Sequence, residues 1–191
     1  MSLDVRILEE TVLSHDWYLL KKTRFEHRRR DGSWQTLSRE TYDRGNGAVI
    51  LPYDPDRGTV LLTRQFRFPA YVNGHPEPLI EACAGLLDDN DPTTAIVKEA
   101  EEELGCRIDA PVRVFDAFMS PGSVTERLSF FIARYRPDDR TGEGGGVAGE
   151  GEDIEVLEMS LDDAWAMIGD GRIADAKTIM LLQHVRLKGP V

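Results

Sequence analysis

Cysteine is scarce in this chain: two residues in 191, Cys83 and Cys106. Their spacing matches no metal-binding pair, so reduced core thiols are the expected state. Long apolar runs are missing too. None approaches the roughly 20 residues needed to span a bilayer, and no membrane association is expected. The opening MSLDVRILEE has no basic start followed by an apolar stretch. No signal peptide is expected, and the cytoplasm is the expected compartment. Positive charge is the third shortage. Lys and Arg number 23 against 34 Asp and Glu, a formal net charge of −11. Such a surface repels phosphate backbones and argues against nucleic acid as a partner. It would repel a small anionic substrate as well, unless a cation stood between them.

What is present reads as a globular α/β chain. Hydrophobic residues make up 41% and charged residues 30%, and the length fits one domain with a small appended element. From Val5 to about Thr41 the pattern favours β structure. WYLLKKTRFEHRRR, the turn Asp31–Gly32 and SWQTLSRETY form a hairpin signal. This gives an N-terminal β element over residues 1–43 and a main domain over 44–191. GAVILPYD and GTVLLTRQF look like core strands joined by a Pro/Asp turn, and VRVFDAFM, RLSFFIARY and DIEVLEMS like further strands. Asp91 suits an N-cap, Pro92 the first helical turn and Gly105 the stop, which predicts a helix from Pro92 to about Leu104. LDDAWAMIGDG and AKTIMLLQHVRL read as two more helices, with Trp165 and Met167 in their packing. GEGGGVAGEGE, residues 142–152, is flexible by composition.

The predicted helix carries Glu99, Glu101, Glu102 and Glu103. Like charges four apart on a helix repel by about 0.2–0.5 kcal/mol per pair. On a helical wheel Glu102 lies about 60° to one side of Glu99 and Glu103 about 40° to the other. Glu101 points away. Ile96, Ala100 and Leu104 mark the buried face beside Glu103. Three carboxylates thus share one arc at the edge of the core, where Mg²⁺ would turn their repulsion into attraction. The alternative is a solvated acidic face with Lys98 and Glu102 paired across one turn.

GLLDDNDPTTAIVKEAEEELG, Gly85–Gly105, resembles the signature of the Nudix hydrolases, with Lys98 where that pattern carries Arg. RETYDRGNGA, RQFR, YVNG, LIEACAGLLD, MSPGSVTE and EDIEVLE resemble the GDP-mannose-hydrolysing subfamily and its ADP-sugar relatives. This resemblance implies an α/β/α sandwich around a mixed sheet, in a homodimer whose N-terminal antiparallel β domain is exchanged with the partner. It implies Mg²⁺ as cofactor, with Mn²⁺ the alternative, on the Ala84 carbonyl, Glu99, Glu103 and Glu152. Substrate contacts would come from Trp17, Arg39, Glu40, Arg67, Ala84, Gly85, Leu86, Glu126 and Lys177. Trp17 would stack on the base in the neighbouring subunit, its alternative being a hairpin core position. Arg67 would grip the pyrophosphate, its alternative being a surface strand-end charge. The general base would be Glu152, with Glu126 and Glu102 behind it. The implied reaction is hydrolysis of a nucleotide sugar, GDP-mannose giving GMP and mannose 1-phosphate. An ADP-ribose or ADP-sugar pyrophosphatase shares this chemistry, and a non-catalytic nucleotide-binding regulator shares the fold.

Overall fold

The computed structural model describes residues 4–189. Backbone packing divides the chain into two units. The first runs up to Asn46 and adds Phe118–Arg127; the second holds Gly47–Ala117 and the chain from Leu128 onward. Segment 118–127, which links β8 to β9, thus packs with the N-terminal strands.

The first unit is an antiparallel sheet of β1 (Val5–His15), β2 (Leu19–Arg28) and β3 (Trp34–Asp43), in that order. Strands β2 and β3 pair from Leu19–Asp43 to Arg28–Trp34. Gly32 closes their loop at φ +85°, a left-handed conformation that favours glycine. Strand β1 carries two register shifts, Ile7/Glu9 and Val12/Ser14. Each falls on an apolar doublet, Ile7–Leu8 and Val12–Leu13, where strict alternation would break. Tyr42 bridges to Val124, and the Tyr42 N–H donates to the Ser123 carbonyl at 2.8 Å.

The second unit is a mixed seven-stranded sheet with helices. Its strands are β4 (Gly47–Asp54), β5 (Thr59–Gln65), β6 (Leu79–Glu81), β7 (Cys83–Leu86), β8 (Val112–Phe118), β9 (Arg127–Arg134) and β10 (Glu155–Ser160). The main order is β10-β5-β4-β9-β8. Strands β4 and β5 touch only near their turn, at Tyr53–Val60 and Asp54–Thr59. Beyond it they part. β4 takes β7 as partner over Gly47–Ile50, and β5 takes β6 over Thr63–Gln65. The divergence opens the sheet where the acidic helix lies.

The helices are α1 (Phe68–Val72), α2 (Pro92–Leu104), α3 (Leu161–Gly169) and α4 (Ala176–Lys188). Helix α2 has the predicted bounds. The Asp91 carboxylate accepts from the Thr93 and Thr94 N–H groups, and Gly105 ends the helix at φ +60°. Ile96, Ala100 and Leu104 pack on Ala48, Ile50, Leu61, Phe131 and Ala133, one face of the strands by period-two alternation. Phe130 points the other way and stacks on Phe115, which meets His184 of α4. Helix layers therefore cover both faces. Helix α1 was not expected from the sequence; five residues show no periodicity. No helix among the described residues is long and apolar enough to cross a membrane. Cys83 and Cys106 are buried free thiols, as expected.

Candidate active site

Helix α2 presents its acids as the wheel predicts. Glu103 is 2% exposed, Glu99 and Glu102 are half-buried, and Glu101 faces solvent. The Lys98–Glu102 pair also forms, at 3.3 Å. Strand β7 runs beside this arc. The Ala84 N–H donates to Glu103 Oε2 at 3.2 Å. A residue of an antiparallel ladder turns its N–H and C=O the same way, so the Ala84 carbonyl shares that direction. Gly85 follows, and a Cβ there would lie 2.1 Å from the Glu99 carboxyl group. Glycine leaves the Glu99 carboxyl free to lie directly against the strand.

Burial pushes the Glu103 carboxyl up to about 7, and the charges of Glu99 and Glu152 add to the effect. Hydrogen bonds from the Cys83 thiol and the Ala84 N–H work in the opposite direction. Burial likewise drives the Cys83 thiol well above its usual range, with the Glu103 charge contributing. Glu152 therefore acts electrostatically on the same group as the helix acids. Among the described residues, no three acidic, His or Cys side chains form a ready-made cation cage. The donor set still fits Mg²⁺, which takes one or two carboxylates and completes its shell with water and substrate phosphates.

Glu152 sits on the glycine-rich loop, which is anchored rather than loose. Gly145 and Gly146 donate to the Glu103 and Glu102 carbonyls at 3.0 and 3.1 Å, and Thr141 donates to the Gly105 carbonyl at 2.8 Å. These bonds satisfy carbonyls that the end of α2 leaves without helical partners. The glycines serve close approach: a Cβ on Gly144 would lie 2.3 Å from the Glu103 carbonyl oxygen. Val147 N–H donates to Glu152 Oε2 at 2.8 Å.

A second cluster combines Arg67 and Lys177 with two acids that the sequence reading passed over, Glu81 and Asp175. Arg67 Nε donates to Glu81 Oε2 at 2.7 Å. Lys177 donates to the other Glu81 oxygen and, at 2.9 Å, to Asp175. Burial pulls the Lys177 ammonium down, but Glu81 and Asp175 outweigh it and its pKa lies above the usual lysine value. Arg67 follows the same pattern, and Glu103 is among the charges acting on it. Leu86 is half-buried at the end of β7, paired with Gly47.

The remaining expected contacts lie in the first unit. Trp17 is 79% exposed and meets Tyr18 edge to face, so it is not a hairpin core residue. Arg39 and Glu40 are exposed on β3. Glu126 is mostly buried beside Arg44, at 3.5 Å.

A NUDIX domain model matches residues 43–182, and a model described as the GDP-mannose pyrophosphatase NudK N-terminal domain matches residues 4–42. The chain belongs to the NUDIX hydrolase superfamily and is an enzyme of that class. Among curated relatives, it is 53% identical to a GDP-mannose pyrophosphatase of Pectobacterium atrosepticum, over 99% of this chain and 97% of that one. A GDP-mannose pyrophosphatase of Cronobacter sakazakii is 48% identical, over 99% and 98% of the two chains. The crystal structure of an ADP compounds hydrolase superposes with a TM-score of 0.72 at 17% identity, covering all of both chains. That likeness is one of fold.

Proposed function

We propose that this chain hydrolyses the pyrophosphate bond of a nucleotide sugar in an Mg²⁺-dependent reaction, with GDP-mannose the best substrate and GMP and mannose 1-phosphate the products. The observation that carries this reading is the buried Glu103 carboxylate beside Glu99, backed by a strand that carries glycine where the two meet. The names of the full-length relatives support the choice of GDP-mannose.

Glu99, Glu103, Glu152 and the Ala84 carbonyl would hold Mg²⁺, or Mn²⁺ in its place, which neutralises the diphosphate and acidifies water when bound. Arg67 offers the diphosphate a planar fork and Lys177 a point charge. Glu152 takes the proton of the attacking water, with Glu126 and Glu102 as the other candidates. Gly85 and Leu86 give the substrate a backbone surface to lie against. Trp17 stacks on the base, and Arg39, Glu40 and Glu126 contact the nucleotide. A homodimer supplies Trp17, Arg39 and Glu40 across subunits. The exposure of Val5, Ile7, Leu8, Val12 and Leu13 on β1 supports a partner copy there. We place the enzyme in the cytoplasm, where two free buried thiols are at home.

The test is a panel of GDP-mannose, ADP-ribose and other nucleotide sugars with Mg²⁺, products resolved by chromatography. GDP-mannose should give the highest kcat/KM. Glu103→Gln should fold and lose several orders of magnitude in turnover, roughly the scale of a lost metal-ligand or transition-state contact. A preference for ADP-ribose would move the assignment to ADP-sugars. No product from any compound would leave a nucleotide-binding regulator.

A further inference from the structure

One buried carboxylate holds both candidate phosphate-binding cations. Glu81 ends β6 and is 3% exposed. Oε2 receives Arg67 Nε at 2.7 Å and Oε1 receives Lys177 Nζ. The partners stand 14 and 96 positions away in the chain. Lys177 is held from a second side by Asp175, the N-cap of α4. The scaffold beneath is continuous: the Asp175 carboxylate accepts from the Thr178 hydroxyl, and Thr178 Oγ1 accepts from the Ala82 N–H at 2.6 Å. Arg67 directs Nε to Glu81 while its side chain stays 40% exposed. Its terminal nitrogens carry the other four of its five donors and form the fork that matches phosphate.

We propose that Glu81 is a positioning residue that sets the spacing and orientation of Arg67 and Lys177 for a joint grip on the substrate's diphosphate. The inference rests on the reading of those two cations given above. Glu81 is negative, like the substrate, and acts only through its two partners. Its charge and its geometry therefore have opposite effects on binding. Neutralising Glu81 makes the surroundings more positive, which by Coulomb's law alone tightens an anion. Releasing the two cations from a shared anchor weakens it.

The full-length protein decides between these. GDP, the diphosphate common to the guanine nucleotide sugars, is titrated calorimetrically without turnover, and kcat and KM are measured for GDP-mannose with Mg²⁺. Glu81→Asp keeps the charge but is one methylene shorter, so it cannot span both partners. Glu81→Gln keeps the shape and loses the charge. Both should weaken GDP about tenfold or more, the scale of a charge-assisted hydrogen bond. KM should rise in proportion while kcat stays within about threefold. Arg57→Met serves as the stability control. It breaks the ion pair with buried Asp54 in the β4–β5 turn, at the far end of the strands, and should lower the melting temperature while leaving GDP affinity unchanged. Wild-type affinity in Glu81→Asp, or tighter GDP in Glu81→Gln, overturns the proposal. If Glu81→Gln does not fold, Glu81→Asp decides alone. A wild type that binds GDP but cleaves no nucleotide sugar sinks the proposed reaction and leaves the Glu81 comparison intact; one that binds no GDP sinks both.

Discussion

The Glu99 carboxyl group lies 2.1 Å from where a Cβ on Gly85 would stand. The Glu99 carboxyl can rest against strand β7 in this position because that strand has no side chain at this point. The contact links backbone choice on one element to carboxylate position on another.

Gly85→Ala tests this link. Gly85 has no positive φ, so alanine fits its backbone without strain. The obstacle is the end of a flexible side chain, which can move. The variant should melt within a few degrees of wild type, while turnover falls about 100-fold, the cost of shifting a catalytic group by about 1 Å. Steady-state kinetics beside a thermal melt separate the two effects. Wild-type turnover would mean that Glu99 has no role in the reaction.

The glycine-rich loop gives the opposite case, where the backbone itself is in the way. At Gly144, φ is +72° and an added Cβ would strike the Glu103 carbonyl oxygen. Gly144→Ala should cost about 2 kcal/mol or more, since a left-handed non-glycine residue alone costs about 1–3 kcal/mol. Gly149, five positions on, has nothing within 4 Å of its Cβ site, and Gly149→Ala should stay within about 0.5 kcal/mol. Chemical denaturation of the pair gives the comparison. Equal stabilities would show that the loop is not docked on α2.

The contrast between these glycines marks what the sequence conveys. Helix α2 was legible to its ends because Asp91, Pro92 and Gly105 are local signals, and its acidic arc follows from helical pitch alone. The loop's composition reads as flexibility; its hydrogen bonds to Glu102 and Glu103 exist only once the chain has folded back. The resemblance marks Arg67 as a cation for the pyrophosphate and Lys177 as a nucleotide-sugar contact. Their common anchor was not legible, because Glu81 sits in an apolar strand and finds both partners through the fold. Pro121 and Gly122 give segment 118–127 local turn signals, but its bond with Tyr42 depends on a strand far away in sequence.

Glu103 makes stability depend on pH in the metal-free protein. Burial pushes its carboxyl up to about 7 in the folded chain, against about 4.5 for an ordinary glutamate. Between these values the folded chain holds a proton that the unfolded chain has lost. Stability from this group is full below about 4.5 and is lost as pH rises through 7, on the order of 3 kcal/mol at most. Unfolding free energies at pH 5 and pH 8 in chelator should therefore fall more for wild type than for Glu103→Gln. Added Mg²⁺ should shrink the difference, because a cation favours the ionised carboxylate. Parallel pH curves for the two proteins would contradict the assigned shift.

The three candidate bases differ in their surroundings, and this ranks them. Glu102 is tied to Lys98 on the helix flank. Glu126 is held by Arg44 within the first unit. Glu152 accepts a backbone N–H at the foot of a loop anchored to α2, and its charge already reaches Glu103. A base must stand within one hydrogen bond of the water it activates, next to the acids proposed to hold the metal. Glu152→Gln should therefore lower kcat by about 100- to 10,000-fold with little change in KM, and Glu102→Gln by less than about tenfold. Glu126→Gln should fall between them. A larger loss in Glu126→Gln than in Glu152→Gln would transfer the base to the first unit and leave Glu152 as a ligand only.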